Sequence, residues 1–246
     1  MSDTLEFLRP DWPAPDRVRA VVTTRTGGVS ADPYASFNLG DHVGDDPACV
    51  ERNRAVLRRA LALPAEPFWL TQVHGTRVID IADSSSDKTA DGAYANQRGL
   101  VCAILTADCL SIFLCDRRGS EVALLHGGWR GLVGGIIEAG LEKFRAPRET
   151  LIAWLGPAIS AQAYEVGDDV RDAFLARDPR AAGAFGARGQ GKWHLDLYVI
   201  ARARLLAGGV QSVRGGGYCT ASQSDSFFSY RRDGVTGRMA SLLWLV

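Results

Sequence analysis

The chain has 246 residues, and its 28 lysines and arginines balance 28 aspartates and glutamates. A net charge of zero argues against nucleic acid as the main partner, because proteins that bind it usually carry a strong basic excess. Apolar residues make up 46% of the chain and charged residues 23%, which is ordinary usage for a globular protein. A chain of this length can bury about 70% of the surface that it exposes when unfolded, so it needs no cross-links to fold.

The amino terminus and the cysteines predict a cytoplasmic protein with no membrane segment. The first sixteen residues contain neither a basic start nor a run of about seven apolar residues, so they do not read as a signal peptide. The longest apolar stretch, 100–115, contains Asp108 and is shorter than a membrane span. The five cysteines include no CxxC pair, which argues against a disulfide framework or a zinc knuckle.

Strand and helix patterns alternate along the chain without a regular strand–helix–strand repeat. In chain order, the patterns predict strands over 17–25, 68–73, 77–81, 100–106, 110–115, 121–125, 151–155, 227–230 and 239–246, and helices over 46–63, 132–144, 166–176 and 195–207. Residues 83–88 and 181–191 read as surface loops. We therefore predict one mixed α/β (α+β) domain over residues 1–246, a layered fold with mixed β-sheets packed between helices.

Three potential metal ligands each follow or end a predicted strand. His74 lies in TQVHG, Cys109 follows Thr106, Ala107 and Asp108 between two buried strands, and His126 lies in LLHGGWRG. Imidazole and thiolate suit zinc, and three protein ligands with an open fourth position are typical of a catalytic site. The spacing of 35 and then 17 residues is weak evidence alone, because a free cysteine is usually a small buried apolar residue.

Arginines form the second chemical feature. Arg25, Arg54, Arg130 and Arg231 lie in or beside glycine-rich or loop segments. Each could bind phosphate or carboxylate through its planar fork, or could tie loops together through backbone carbonyls. The sequence has neither GxGxxG nor GxxxxGK[ST], so the common nucleotide-phosphate loops are absent.

A series of motifs resembles one known family. The motifs are TTRTGGVS, FNLGDHVGDDP, ERNR, TQVHG, TADC, HGGWRG, WLGPAIS, YEVG and FFSYRRDGVTGRMASLLWL. In this order they resemble the YfiH/laccase-domain family from about Arg25 to the carboxyl end. One departure is Gly127, where the family usually has alanine.

The resemblance implies a layered domain of the YfiH/CNF1-like type with a central pocket. It implies metal ligands at His74, Cys109 and His126, which are the same three residues that the strand ends suggested. Members of the family have been called polyphenol oxidases and purine nucleoside phosphorylases. The activities implied are phosphorolysis of adenosine, inosine and methylthioadenosine, and deamination of adenosine.

These implications assign a role to each candidate residue. Zinc, or copper as an alternative occupant, would bind the His–Cys–His group and activate water for deamination. Asp108 is the candidate proton shuttle, and Arg54 and Arg130 are the candidate phosphate ligands. Phe227, Phe228 and Tyr230 are candidates for stacking on the base. The expected partners are small-molecule nucleosides and phosphate, without nucleic acid or membrane, and the protein is expected to be a monomer or a small homo-oligomer.

Three other interpretations remain open on the sequence. A multicopper oxidase needs a cluster of copper ions held almost wholly by histidines, and four histidines are too few once two bind the first metal, so phenol oxidation is expected only as a side activity. Cys109 and His126 could form a nucleophile–base pair for an amidase that edits peptidoglycan precursors. A non-enzymatic binding module would leave the three ligands at strand ends unexplained.

Overall fold

The structure is a computed structural model that describes residues 4–83 and 87–246. Within these ranges the strands are β1 (Phe7–Leu8), β2 (Val18–Thr23), β3 (Phe68–Trp69), β4 (Val78–Asp80), β5 (Gly92–Ala95), β6 (Val101–Thr106), β7 (Leu110–Asp116), β8 (Val122–Gly127), β9 (Leu151–Leu155), β10 (Glu165–Gly167), β11 (Phe185–Gly189), β12 (Lys192–Leu195), β13 (Ser212–Gly215) and β14 (Met239–Leu245). The α-helices are α1 (Pro47–Leu61), α2 (Trp129–Gly134), α3 (Ile136–Glu142), α4 (Asp168–Arg177), α5 (Leu197–Ala207) and α6 (Tyr230–Asp233). No helix in the described ranges combines the length and apolar character that crossing a bilayer requires.

The strands form two large mixed sheets and one small sheet. The five-stranded sheet has the order β1-β2-β14-β6-β3, and the six-stranded sheet has the order β13-β9-β7-β8-β5-β4. The small sheet, β10-β12-β11, is antiparallel. In the large sheets β3 pairs in parallel with β6, β4 with β5 and β13 with β9, while the other neighbours are antiparallel.

The two large sheets pack face to face between helices. Side chains along a strand alternate between its two faces. Accordingly, Leu110, Ile112 and Leu114 of β7 belong to a core shared with α2, α3, α4 and α5, whereas Phe113 and Cys115 belong to the core between the two sheets. Helix α1 covers the far face of the five-stranded sheet through a third core cluster. The predicted arrangement of mixed sheets between helical layers is thus confirmed.

One short connection carries the chain from one large sheet to the other. Strand β6 lies in the five-stranded sheet and β7 in the six-stranded sheet, and only Ala107, Asp108 and Cys109 join them. Asp108 has a φ of 91°, in the left-handed region that residues other than glycine rarely adopt. The predicted break between two buried strands is therefore a sharp crossover between layers.

The predicted helix over 132–144 is two helices. Helix α2 ends and α3 begins at Gly135, which has a φ of 105°. A residue in this conformation interrupts the helical hydrogen-bond pattern, and glycine adopts it without steric cost. The apolar spacing that predicted one helix continues across the break, because both helices pack on the same core.

The predicted loop over 181–191 is wrong. It contains the end of a 3-10 helix, Pro179–Ala184, followed by β11, which forms a hairpin with β12. Gln190 and Gly191 connect these strands, and both have positive φ, as a type I′ hairpin turn requires. The other predicted loop, 83–88, includes residues 84–86, which lie outside the described residues.

The predicted strand over 227–230 is also wrong. Phe227 and Phe228 are buried against Met239 in a small core cluster, and neither lies in a strand. The chain then enters α6, because the Ser229 side chain accepts a hydrogen bond from the Arg232 amide as an N-cap does.

Asn53 on α1 anchors the segment between β2 and α1 through hydrogen bonds of its side chain. Its side chain is fully buried, and its Oδ1 accepts a hydrogen bond of 2.9 Å from the Val29 amide. Its Nδ2 donates to Ser30 Oγ at 3.0 Å and to the Asn38 carbonyl at 2.9 Å. The ERNR motif therefore supplies an anchor for the segment between β2 and α1.

We expect Asn53→Ala to lower the free energy of unfolding by about 2–3 kcal/mol, because it leaves several buried backbone groups without partners. Urea denaturation followed by circular dichroism measures the change. Arg52→Ala on the exposed face of α1 is the matched control, with an expected effect within about 0.5 kcal/mol. Equal stability of the two variants would contradict the anchoring role.

Candidate active site

The structure brings His74, Cys109 and His126 together. One potential ligand atom from each side chain lies within 4.8 Å of the other two. Cys109 Sγ is 4.0 Å from His74 Nε2, and the two imidazole rings are edge to face with centroids 4.8 Å apart. Cys109 comes from the β6–β7 crossover and His126 from β8, which pairs with β7, so sheet pairing itself places these two residues together.

Asp91 positions both histidines. Its carboxylate is fully buried and accepts the His126 ring N–H, with Nδ1 and Oδ1 2.8 Å apart. It also accepts the backbone amides of Val73, His74 and Gly75 at 3.1, 2.9 and 2.7 Å. The hydrogen bond at Nδ1 leaves His126 Nε2 for a metal, the arrangement in which a carboxylate orients a metal-bound histidine. Asp91 also holds the backbone around His74, whose φ is 59°.

Of the two glycines after His126, Gly128 leaves room for the ligands and Gly127 lies close to the neighbouring strand. A Cβ on Gly128 would lie 2.9 Å from His74 Cδ2 and 3.2 Å from Cys109 Sγ. A larger residue at this position would therefore displace the ligands. A Cβ on Gly127 would lie 3.0 Å from the Leu110 carbonyl oxygen, so the backbone here is close to its neighbouring strand. Restoring the alanine that the motif usually has would require a small shift of this strand pair.

The ligand set favours an ionised thiol. Burial opposes ionisation of Cys109, but the charge and hydrogen bonding of His126 and His74 lower the pKa of the thiol. Burial also opposes protonation of His126, but Cys109 and Asp91 raise the pKa of the imidazole. Burial opposes ionisation of Asp91 as well, and hydrogen bonds from His126 and Gly75 lower the pKa of its carboxyl. Thiolate is the form of cysteine that binds metals and acts as a nucleophile.

The donor set fits zinc. Two imidazoles and one thiolate leave a fourth position open, as catalytic zinc sites do, and Asp91 supplies the supporting hydrogen bond. A blue-copper site uses the same three donors with a weak axial methionine. Met239 is the one methionine in the described part of the chain, and its sulfur accepts the Phe228 amide at 3.1 Å in a separate core cluster. The described residues therefore place no methionine sulfur beside the three donors, and two imidazoles with a thiolate form a donor set that both zinc and copper accept.

The three ligands line a cavity of about 560 Å³. Apolar and aromatic residues contribute much of its wall, among them Leu105, Trp129, Ile159, Tyr164 and Leu197. Three arginines also line it, Arg130, Arg231 and Arg238, and none of them forms an ion pair with a carboxylate within the described residues. A cavity of this size with apolar walls and a few polar groups is typical of a small-molecule site.

Asp108 lines the cavity and holds the crossover. Its Oδ1 accepts the Thr220 hydroxyl and its Oδ2 accepts the Arg231 amide, each at 2.6 Å. Its own carbonyl accepts the Ile159 amide at 2.9 Å. These bonds fix the left-handed backbone of the crossover and so fix Cys109 beside it.

Of the two predicted phosphate ligands, the structure brings only Arg130 to the cavity. Arg130 is exposed there and stacks on Trp129, with 4.5 Å from Cζ to the ring centroid. Arg54 is not among the lining residues: its Nε and Nη2 donate to the Leu39 carbonyl, and its Nη2 is 3.3 Å from Asp41. Arg54 also stacks on Trp69. Its side chain therefore ties the chain segment before α1 to the helix.

Of the three aromatic residues that were predicted to stack on the base, only Tyr230 lines the cavity. Phe227 and Phe228 are 2% and 0% exposed and belong to a core cluster, so they cannot stack on a base in the cavity. Tyr230 is 61% exposed and lines the cavity. The sequence did not separate them, because three neighbouring aromatic residues give no period that distinguishes core from surface.

Sequence reasoning missed four residues of the site. These are Asp91, His42, Tyr164 and Arg238. His42 is exposed at the cavity and its Nδ1 lies 3.5 Å from Asp41. A signal was present for some of them, since His42, Tyr164 and Arg238 all lie in the motifs that carry the family resemblance. Asp91 lies outside those motifs, and only the pairing of β5 with β8 brings it to His126.

Comparison with known proteins agrees with the resemblance. Residues 19–246 match the family described as multi-copper polyphenol oxidoreductase laccase, and the chain belongs to that family. A purine nucleoside phosphorylase of Pseudomonas aeruginosa is 51% identical over 97% of this chain and 98% of its own. The purine nucleoside phosphorylase YfiH of Escherichia coli is 49% identical over 98% of this chain and 99% of its own. The crystal structure of Neisseria meningitidis protein NMB0706 has a TM-score of 0.94 and 49% identity, and the match covers 97% of this chain and 98% of that one.

We expect Asp91→Asn to weaken zinc binding about 10- to 100-fold, because the amide cannot accept all the hydrogen bonds that orient His74 and His126. Competition with a chromogenic chelator measures the affinity, and circular dichroism checks the fold. Asp87→Asn removes an exposed carboxylate that pairs with Arg77 and is the matched control. Unchanged affinity in the folded Asp91→Asn variant would show that the carboxylate does not support a metal.

Proposed function

We propose that this member of the family is a zinc-dependent purine nucleoside enzyme. It would cleave adenosine, inosine and methylthioadenosine with phosphate, and it would also deaminate adenosine, acting on these small molecules in the cytoplasm. The observation that carries the proposal is the His74–Cys109–His126 group in a cavity lined by arginines that have no carboxylate partner among residues 4–83 and 87–246. The names of the relatives from Pseudomonas and Escherichia support the same class of substrate.

Phosphorolysis needs the substrate and phosphate to be held in line. An oxygen of phosphate forms a bond to C1′ of the ribose while the bond from C1′ to the purine nitrogen breaks, and the base leaves with a proton. Arginines that line the cavity can hold the phosphate through charge-assisted hydrogen bonds. Trp129, Tyr164 and Leu197 offer aromatic and apolar surface for the purine. Holding both reactants together removes much of the entropic barrier.

Deamination needs an activated water molecule and a proton carrier. His74, Cys109 and His126 would hold the zinc, which when bound acts as a Lewis acid that makes water a nucleophile at neutral pH. Asp108 accepts two hydrogen bonds from the protein. A carboxylate has about four lone-pair positions, so Asp108 can still exchange a proton with the substrate.

Two alternative activities use the same residues. The lowered pKa of Cys109 beside His126 favours a nucleophilic thiolate, which is what a Cys–His amidase acting on peptidoglycan precursors would need. Copper in place of zinc would give at most a single-copper site and weak phenol oxidation, because the chain has four histidines in all. The purine nucleoside function gives the arginines of the cavity a role as phosphate ligands, whereas phenol oxidation gives them none.

We expect the zinc-loaded protein to convert adenosine and phosphate to adenine and ribose 1-phosphate, and to convert adenosine to inosine without phosphate. Chromatography of the products measures both reactions, with inosine and methylthioadenosine as further substrates. Cys109→Ala should lower both rates by more than about a hundredfold, whereas Cys49→Ala, distant in the sequence and outside the cavity lining, should not change them. Intact nucleosides together with cleavage of a muropeptide precursor would replace this function with the amidase.

We expect purified protein to hold about one zinc per chain, and His74→Ala and Cys109→Ala to lose it, because two ligands bind zinc weakly. Elemental analysis of protein prepared without chelators measures the metal. Circular dichroism of both variants should stay close to that of the wild type, since the core clusters do not depend on the site. An unfolded spectrum for both would identify a structural metal instead.

A further inference from the structure

Arg238 occupies a fixed position in the cavity wall. It immediately precedes β14, and its backbone amide donates to Asn38 Oδ1 at 2.9 Å while its carbonyl accepts the Leu39 amide at 3.2 Å. Its aliphatic stem lies against Gly40, where an added Cβ would come within 2.8 Å of Arg238 Cγ. The backbone and the stem are therefore held by the segment before α1, which Asn53 anchors in turn.

The guanidinium of Arg238 is only partly satisfied by the protein. Its Nη1 donates to the carbonyls of Thr236 and Gly237 at 2.9 and 3.0 Å. Across residues 4–83 and 87–246, Nε and Nη2 have no hydrogen-bond partner, and the side chain forms no ion pair. Burial lowers the pKa of this guanidinium, and the negative charges of Cys109 and Asp108 oppose that effect. A half-buried cation without a carboxylate partner favours a bound anion.

The other arginines near the site are less suited to bind such an anion. Arg130 is exposed and stacked on Trp129. Arg231 is exposed as well, and its Nη1 donates to the Glu165 carbonyl at 2.6 Å. Arg232 is fully occupied, because Nε, Nη1 and Nη2 each donate to a carbonyl or to Asp233. Arg238 therefore combines partial burial, a fixed stem and an Nε–Nη2 edge that no group in the described ranges occupies.

We propose that Arg238 is the principal phosphate ligand of the cavity and binds two phosphate oxygens through Nε and Nη2. This inference rests on the proposed phosphorolysis for its role in the reaction, although anion binding can be measured without it. Two donors of one guanidinium match two oxygens of phosphate in a planar, bidentate contact. His42 also lines the cavity. Arg231 stacks on Tyr164, with 5.0 Å from Cζ to the ring centroid, and would assist at the nucleoside together with Arg130.

The central experiment compares kinetic constants of Arg238→Gln with those of the wild type. The KM for phosphate should rise about 10- to 100-fold at saturating inosine, while the KM for inosine should change much less. Arg238→Lys keeps the charge and the stem but loses the bidentate fork, so its KM for phosphate should lie between the two. Arg59→Gln removes an exposed arginine of α1 and is the matched control for net charge. An unchanged KM for phosphate in folded Arg238→Gln would overturn the proposal.

A second measurement uses the unaltered protein and needs no activity. Phenylglyoxal modifies accessible arginines, and mass spectrometry locates the modified residues. Inorganic phosphate should protect Arg238 and leave Arg59 reactive. Protection of Arg238 without any phosphorolysis would support the anion site and refute the proposed function. Phosphorolysis with Arg238 equally reactive in the presence and absence of phosphate would leave the proposed function intact and refute the assignment of Arg238.

Discussion

The buried carboxylate of Asp91 is the interaction on which the site depends. It accepts one imidazole N–H and three consecutive backbone amides, so a single side chain fixes His126 and the backbone that carries His74. A buried, ionised carboxylate without hydrogen-bond partners would cost free energy. Because residues 73–75 and His126 of β8 supply these partners, their positions depend on each other. The same hydrogen bonds stabilise the left-handed backbone conformation of His74. The third ligand, Cys109, is set independently by the β6–β7 crossover.

The layered fold explains why the ligands converge at this place. Strand β7 pairs with β8, so Ser111 lies opposite His126 and the crossover enters the sheet next to it. The crossover in turn is held by Asp108 through Thr220 and Arg231, which come from the carboxyl-terminal part of the chain. The hydrogen bond between the hydroxyls of Ser111 and Ser241 joins the two large sheets just inside the site. Rigid sheets on both sides therefore hold the cavity, with Cys109 on the short connection between them and His126 near the end of β8.

Sequence reasoning recovered what local pattern encodes and missed what tertiary pairing decides. The continuous apolar runs predicted the bounds of β6 and β7 to within one residue. The ends of the predicted strands pointed to His74, Cys109 and His126, which the structure brings together. Strand β5 was missed, because Gly92–Ala95 has almost no apolar pattern of its own and is defined by close packing against Leu125 and Val78. Asp91 was missed with it. Arg54 was misplaced for a related reason: nothing in ERNR shows that the Leu39 carbonyl occupies the guanidinium.

Net charge conceals the electrostatic character of the cavity. The chain as a whole is neutral, and Arg58, Arg77, Arg180 and Arg204, none of which lines the cavity, all pair with carboxylates. In the cavity, by contrast, the carboxylate of Asp108 already accepts two hydrogen bonds from the protein, and three arginines line the same space. A chain that is neutral overall can therefore carry a local excess of guanidinium groups that suits a small anion. A cavity of about 560 Å³ suits one small molecule, and the guanidinium groups that line it match the oxygens of a compact anion such as phosphate.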